Sequence, residues 1–131
     1  MAQFDPRRRL VPVDAEISGP CLPVSARLLL DTGSVFSLIH PGLLAKAGYN
    51  SASPRSRVSI AGVSSTAEVG LFVVSGLTAL GVERSNVAVL AHRLPGSIPF
   101  DGLLGVNFLL GHRLIIDFSA GTVQLEASGG P

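Results

Sequence analysis

One segment, residues 28–39, constrains this chain more than any other, because its apolar run is interrupted by Asp-Thr-Gly-Ser. An ionised carboxylate with apolar flanks is costly to desolvate, so Asp31 must be hydrogen-bonded, paired or partly protonated wherever the fold buries it. Thr32 and Ser34 supply hydroxyl groups nearby, and Gly33 permits close backbone approach or a positive φ. These properties suit a catalytic carboxylate. The same residues are also ordinary turn chemistry between two strands of a hairpin.

A second segment far downstream favours the catalytic interpretation. Residues 100–109 contain Leu103-Leu104-Gly105, and a hairpin-like pattern follows at residues 114–125. With both motifs in place, the sequence resembles the retropepsin-like aspartic proteases, whose protomers carry Asp-Thr-Gly after an apolar strand and a hydrophobic-hydrophobic-Gly before a short helix. The resemblance extends over roughly residues 11–126 and is greatest to bacterial and cytosolic eukaryotic members. Val106 stands where viral members have an arginine, so their salt-bridge network between active site and dimer interface is not expected here.

The resemblance implies a catalytic dyad formed by Asp31 and the same residue of a second copy, because the chain has only one Asp-Thr-Gly. Water is then the nucleophile, and no metal or cofactor is required. The residues expected to support Asp31 are Thr32, Gly33, Ser34, Leu103, Leu104 and Gly105. Asp101, which lies next to the second motif, is the other carboxylate that could join the dyad, but a turn or substrate-binding role is favoured for it.

Two strand patterns flank a tip of small residues that matches the position of the family's substrate-covering flap. The expected flap and substrate-binding residues are Ala61, Gly62, Val63, Ser64, Ser65 and Thr66, together with Asp101. An ordinary surface hairpin is the alternative interpretation. Side chains proposed to line the cleft are Val63, Leu90, Ile98 and Phe100, which predicts extended substrates with hydrophobic side chains.

Composition sets further bounds. The 131 residues fit one domain, and 47% are hydrophobic while only 15% are charged, which favours a homodimer that covers apolar surface. The net charge of +1 gives no footprint for nucleic acid, and the sequence contains no candidate membrane segment. The cluster Arg7-Arg8-Arg9 is interpreted as a solvated arm rather than an interface or membrane-surface element. Cys21 is the only cysteine, which permits a cytoplasmic location, and three scattered histidines lack metal-site spacing.

Strand periodicity dominates the chain, so we predict an all-β fold: a retropepsin-like closed antiparallel barrel or sandwich with one or two short helices. A protease domain over residues 11–127 is expected between a flexible arm at 1–10 and a tail at 128–131. Strands are predicted at 11–18, 24–30, 35–39, from 57, at 67–74 and at 85–90, with a final hairpin turning at 119–121. Helices are predicted at 41–48 and 106–110.

A second functional class fits the same pattern. A non-catalytic retropepsin-fold module would dimerise, or hold an extended peptide by strand addition without cutting it. The intact Asp31-Thr32-Gly33 sequence argues against this alternative.

Overall fold

The computed structural model describes residues 1–61 and 65–127 and is built almost entirely of strands. The strands are β1 (Ala2–Gln3), β2 (Pro12–Ser18), β3 (Val24–Leu30), β4 (Ser37–Ile39), β5 (Ser56–Ala61), β6 (Thr66–Ala79), β7 (Val82–Ala91), β8 (Gly102–Leu104), β9 (His112–Asp117) and β10 (Thr122–Ala127). Two short helices, α1 (Pro41–Lys46) and α2 (Val106–Leu109), complete the fold. In the described ranges, no helix has the length and apolar character needed to cross a membrane.

The larger sheet closes on itself. Its strand order is β2-β3-β8-β4-β7-β6-β5. Strand β2 pairs in addition with the C-terminal end of β6, from Ala15 opposite Ala79 to Ser18 opposite Gly76. Side chains on β2 alternate between inside and outside, as the sequence pattern predicts. The inward residues Val13 and Ile17 join the main core. The pairing of β2 with β6 completes a closed barrel around this core.

Strand β8 lies between β3 and β4 and brings the two sequence motifs together. It runs parallel to β3, with Leu30 opposite Leu104, and antiparallel to β4, with Leu38 opposite Leu103. Strand β4 also pairs in parallel with β7. These two parallel pairings depart from the mostly antiparallel arrangement expected from the sequence. The first arises because β8 lies between β3 and β4, which therefore do not pair with each other as a hairpin.

A separate three-stranded sheet has the order β1-β10-β9. Its β1 strand belongs to the segment predicted as a flexible arm: Ala2 pairs with Val123, and Phe4 is buried against a small apolar cluster. The arm is therefore part of the folded domain, because β1 pairs with the edge strand β10 and Phe4 packs in the apolar cluster. Arg7 donates hydrogen bonds to the carboxylate of Asp5 and holds the pKa of that carboxyl below its usual range.

Helix α1 begins and ends as its sequence predicts. Pro41 occupies its first turn, and Nδ1 of His40 accepts a hydrogen bond from Gly42 N at 2.9 Å. Gly48 follows the helix with φ of 104°, a left-handed conformation that glycine adopts without strain. The helix buries Leu44 in the main core and so fixes the chain that leaves β4.

Candidate active site

Asp31 lies at the end of β3, where the chain leaves the sheet. Its backbone N donates to the carbonyl oxygen of Leu104 at 3.0 Å, which continues the parallel β3–β8 pairing to the Asp-Thr-Gly motif. Its Oδ1 accepts a hydrogen bond from Gly33 N at 2.9 Å. A Cβ added at Gly33 would lie 3.1 Å from Oδ1, and Gly33 does not have a positive φ. Of the two roles predicted for this glycine, close approach to the carboxylate is therefore the one found.

The loop that carries Asp31 rests on the N-terminal end of α2. Val106 N donates to the carbonyl of Ser34 at 2.8 Å, and Asn107 N donates to the carbonyl of Val35 at 3.0 Å. Within the loop, Oγ of Ser34 donates to the carbonyl of Phe36 at 2.6 Å. Three residues predicted to support Asp31, namely Ser34, Leu104 and Gly105, thus meet at this contact between the two motifs.

Gly105 is required here for space. A Cβ at this position would overlap the carbonyl oxygen of Phe36 and lie 2.8 Å from that of Ser34. Its φ of −96° is accessible to any residue, so the constraint is steric rather than conformational. The glycine of the second motif therefore allows β8 and α2 to approach the Asp31 loop closely.

A buried polar pair that the sequence analysis did not single out joins the same elements. Ser37 has no exposed surface, and both its backbone N and its Oγ donate to Oδ1 of Asn107, at 2.9 and 3.0 Å. Oγ of Ser37 accepts from Gly105 N at 3.0 Å, and Nδ2 of Asn107 donates to the carbonyl of Ala88 at 2.6 Å. In the sequence, each residue is one polar position within an otherwise apolar segment, which is the only signal that points to them.

An open cleft of about 370 Å³ lies beside Asp31. Its lining residues are Asp31, Gly33, Ser34, Val35, Phe36, Leu38, Ile60, Leu90 and Leu103. Asp31 is the only ionisable group among them, and most of the others present apolar surface. Leu90 was predicted to line the cleft, and the structure places it there.

The β5–β6 hairpin contributes Ile60 to this cleft. Ala61 pairs with Thr66 at the last described rung before the tip. The sequence therefore predicted correctly that two strands flank this tip. Three of the predicted flap residues, Gly62, Val63 and Ser64, lie outside the described residues.

Asp101 lies away from the cleft. Its Oδ2 accepts from Arg27 N at 2.8 Å, its N donates to the carbonyl of Arg27 at 2.8 Å, and its carbonyl accepts from His40 N at 2.8 Å. Arg27 precedes Asp31 by four residues on one extended segment, a separation of about 13 Å at strand rise. The Asp101 side chain therefore serves the chain turn before β8, which is the turn role considered for it.

Other predicted cleft residues lie elsewhere. Phe100 lines a different groove, together with Arg8 and Arg27, and Ile98 is not part of the Asp31 cleft. Thr32 is exposed, and its hydroxyl makes no hydrogen bond within the described part of the protomer, so its supporting role stays a prediction. A further groove of about 430 Å³ beside α1 includes Leu44 in its lining but none of the motif residues. Across residues 1–61 and 65–127, no cluster of three or more His, Cys, Asp or Glu side chains has an arrangement suited to a metal ion.

An arginine from β7 reaches the end of α2, although none follows Gly105. Nη1 of Arg84 donates to the carbonyl of Phe108 at 3.1 Å and also to that of Leu110. These carbonyls lie at the C-terminal end of the helix, where backbone acceptors lack intrahelical partners and a cation is favourable. The helix beneath the Asp31 loop is therefore held at both ends by polar contacts.

Comparison with known proteins identifies the fold and the family of this chain. No curated protein matches the sequence. A solved structure described as a retropepsin-like aspartic protease from Rickettsia conorii is similar over 92% of this chain and 85% of its own, with a TM-score of 0.66 and 15% sequence identity. This likeness confirms the predicted all-β, retropepsin-like fold. The model of a family described as aspartyl protease matches residues 13–108, well over half of the chain. The chain therefore belongs to this aspartyl protease family.

Proposed function

We propose that this protein is an aspartic endopeptidase whose catalytic carboxylate is Asp31. The observation that carries the proposal is the combination of one carboxylate, held by Gly33 N at 2.9 Å, with an otherwise uncharged cleft about 370 Å³ in volume. Low polarity around the carboxylate strengthens the hydrogen bond that it accepts from a water molecule. The backbone contacts of the loop hold the carboxylate in place before substrate arrives.

The active species is a homodimer under this proposal. The chemistry requires two carboxylates that share a proton, and the Asp31 cleft of one protomer contributes one. A two-fold axis near the cleft would bring the two Asp31 side chains together. Exposed apolar side chains near the ends of the catalytic loop and α2 support this arrangement, since Val35 is 70% exposed and Leu110 is 60% exposed.

The reaction divides the two carboxylates by role. One Asp31 is ionised and takes a proton from water as the oxygen adds to the scissile carbonyl carbon. The other Asp31 is protonated and gives its proton to the carbonyl oxygen, which yields a tetrahedral gem-diol. The Asp31 that took the water proton then gives it to the amide nitrogen, and the other Asp31 takes a proton from one gem-diol hydroxyl. The C–N bond breaks, an acid and an amine leave, and both carboxylates return to their starting protonation. No covalent bond forms between substrate and protein.

The expected substrates are extended peptides with apolar side chains beside the cleaved bond. The cleft presents Val35, Ile60 and Leu90, and Asp31 is the only ionisable group among its described lining residues. A charged substrate side chain would lose its hydration here without gaining a partner. Ile60 approaches from the β5–β6 hairpin, which supports a covering role for that hairpin. Thr32 is exposed beside Asp31 and is available to substrate or to the second protomer.

A fluorogenic peptide library with apolar positions around the cleavable bond tests this function. The wild-type protein is expected to cleave a subset of the library, and Asp31→Asn is expected to cleave none while retaining the fold. Undiminished cleavage by Asp31→Asn, with contaminating proteases excluded by inhibitors, would refute the assignment. Peptide binding without cleavage by either protein would instead support the non-catalytic module.

Dilution tests the dimer separately. Sedimentation and specific activity are measured on the same samples over a wide range of protomer concentration. Activity is expected to fall together with the dimer fraction. Full specific activity in a proven monomer would refute the homodimer.

A further inference from the structure

The side chain of Asn107 contacts two segments that are distant in sequence. Its Oδ1 accepts two hydrogen bonds from Ser37, at 2.9 and 3.0 Å, and its Nδ2 donates to the carbonyl of Ala88 on β7 at 2.6 Å. Ser37 is fully buried, and its Oγ also accepts a hydrogen bond from Gly105 N at 3.0 Å, which links Asn107 to the second motif. The catalytic loop, the second motif and β7 are therefore joined through two side chains.

The partners of Asn107 fix the chemistry required at this position. A backbone N–H and a hydroxyl approach one side of the amide and need an acceptor, while the Ala88 carbonyl on the other side needs a donor. An asparagine amide supplies both, whereas a carboxylate supplies only acceptors. The hydroxyl of Ser37 is equally committed, because it donates to Asn107 and accepts from Gly105. Loss of either side chain leaves a buried polar group without its partner.

This network lies at the far end of the loop that carries Asp31. One end of the loop is anchored where Asp31 N donates to Leu104 at 3.0 Å. The other end is Ser37, the first residue of β4. Between these ends the loop is hydrogen-bonded to the first residues of α2, which include Asn107 itself. Its path is therefore fixed from both ends, and Asn107 sets the position of the second.

We propose that Asn107, acting through Ser37, is a positioning residue for Asp31. It does not touch substrate; it fixes the loop so that the carboxylate is held where the dyad requires it. This inference rests on the proposed peptidase function. Effective catalysis requires reacting groups in near-attack geometry, and a displacement of about 1 Å costs roughly 100-fold in rate. Loss of the network should therefore reduce turnover more than substrate binding, because the apolar cleft walls remain.

Three substitutions in the dimeric protein test the proposal kinetically. Ser37→Ala removes the hydroxyl, Asn107→Asp removes the donor to Ala88, and Ser37→Thr keeps a hydroxyl at position 37. Ser37→Ala and Asn107→Asp are expected to lower kcat by about 10- to 100-fold with KM within about twofold of wild type. Ser37→Thr is expected to restore most of kcat. If Asn107→Asp fails to fold, the two Ser37 variants decide the outcome.

Tyr49→Phe is the matched control for loss of one hydroxyl group that both donates and accepts a hydrogen bond. The Tyr49 hydroxyl donates to the carbonyl of Ser18 at 2.6 Å and accepts from Ser75 N at 2.8 Å, away from the Asp31 loop. This variant is expected to lower the melting temperature without changing kcat per folded protomer. A kcat within twofold of wild type for both Ser37→Ala and Asn107→Asp would overturn the proposal, as would an equal loss of kcat in Tyr49→Phe.

Hydrogen exchange measured on the same variants does not depend on cleavage. Faster amide exchange is expected at residues 34–37 and 105–107 in Ser37→Ala, with unchanged exchange in the β6–β7 pairing. If wild type cleaves nothing, the peptidase proposal fails, and the exchange result still decides whether the two side chains fix the loop. Unaltered exchange at residues 34–37 would overturn the positioning role in either case.

Discussion

Arg84 offers a quantitative test of how the helix beneath the active site is held. Its Nη1 donates to two carbonyls at the C-terminal end of α2, those of Phe108 and Leu110. Helix α2 has only four residues, so its own hydrogen bonds contribute little to its stability. Arg84→Met keeps the apolar stem of the side chain and removes both hydrogen bonds and the charge.

The expected cost follows from the number and kind of contacts. A hydrogen bond to a charged group contributes about 1.5–3 kcal/mol where it is buried, and a cation at a helix C-terminus contributes about 0.3–1 kcal/mol. The contact to Phe108 is half-buried and that to Leu110 is exposed, so water replaces much of both in the variant. We therefore expect Arg84→Met to lower the free energy of unfolding by about 1.5–3 kcal/mol.

Arg113→Met is the matched control. Arg113 is also an arginine on a strand, but its partner is the exposed carboxylate of Glu126 at 3.3 Å. An exposed pair of this kind contributes about 0–1 kcal/mol. Urea unfolding compares the two variants at one fixed protomer concentration, so that any effect of self-association on stability is the same for both. Equal losses in both variants, or a loss below about 0.5 kcal/mol in Arg84→Met, would refute the reasoning.

Three further predictions concern the cleft and its chemistry. Ile60→Ala should raise KM for apolar peptides by about tenfold in a steady-state assay, the equivalent of about 1.4 kcal/mol of lost contact. Val58 lies on the same face of β5 but outside the cleft lining, so Val58→Ala should leave KM unchanged in that assay. Gly105→Ala should cost about 1–3 kcal/mol in unfolding free energy, because its methyl group meets the Phe36 carbonyl; a melting temperature equal to that of wild type would contradict this. The profile of kcat/KM against pH should be bell-shaped with an optimum at roughly pH 4–6, because two neighbouring carboxylates need one shared proton, and a flat profile through this range would contradict an Asp31 dyad.

Much of the fold was predictable because local patterns and tertiary structure agree. Alternation on β2 predicted which residues face the core, and Gly48 predicted the end of α1 through its left-handed conformation. The two motifs were visible as breaks in apolar runs, at Asp31 and at Gly105. Such features depend only on residues close together in the sequence, so they can be predicted from the sequence alone.

The pairing of β8 between β3 and β4 was not predictable from local patterns. It joins residues more than sixty positions apart, for example Leu30 and Leu104, and nothing in the periodicity of these strands specifies a parallel partner. The predicted arm at residues 1–10 differed from the structure for the same reason, because its pairing partner, β10, is at the other end of the chain. Ser37 and Asn107 were missed because a hydrogen bond between them exists only after this pairing has formed.

Strand β7 connects the support of the active site to the wall of the cleft. Ala88 accepts the hydrogen bond from Asn107 at one end of α2, while Arg84, four residues earlier on the same strand, holds the other end. Leu90, two residues beyond Ala88, lines the Asp31 cleft. A shift of β7 would therefore move the cleft wall and the helix under the Asp31 loop together. This common attachment explains how a helix of only four residues can hold the Asp31 loop, since polar contacts fix both of its ends to β7.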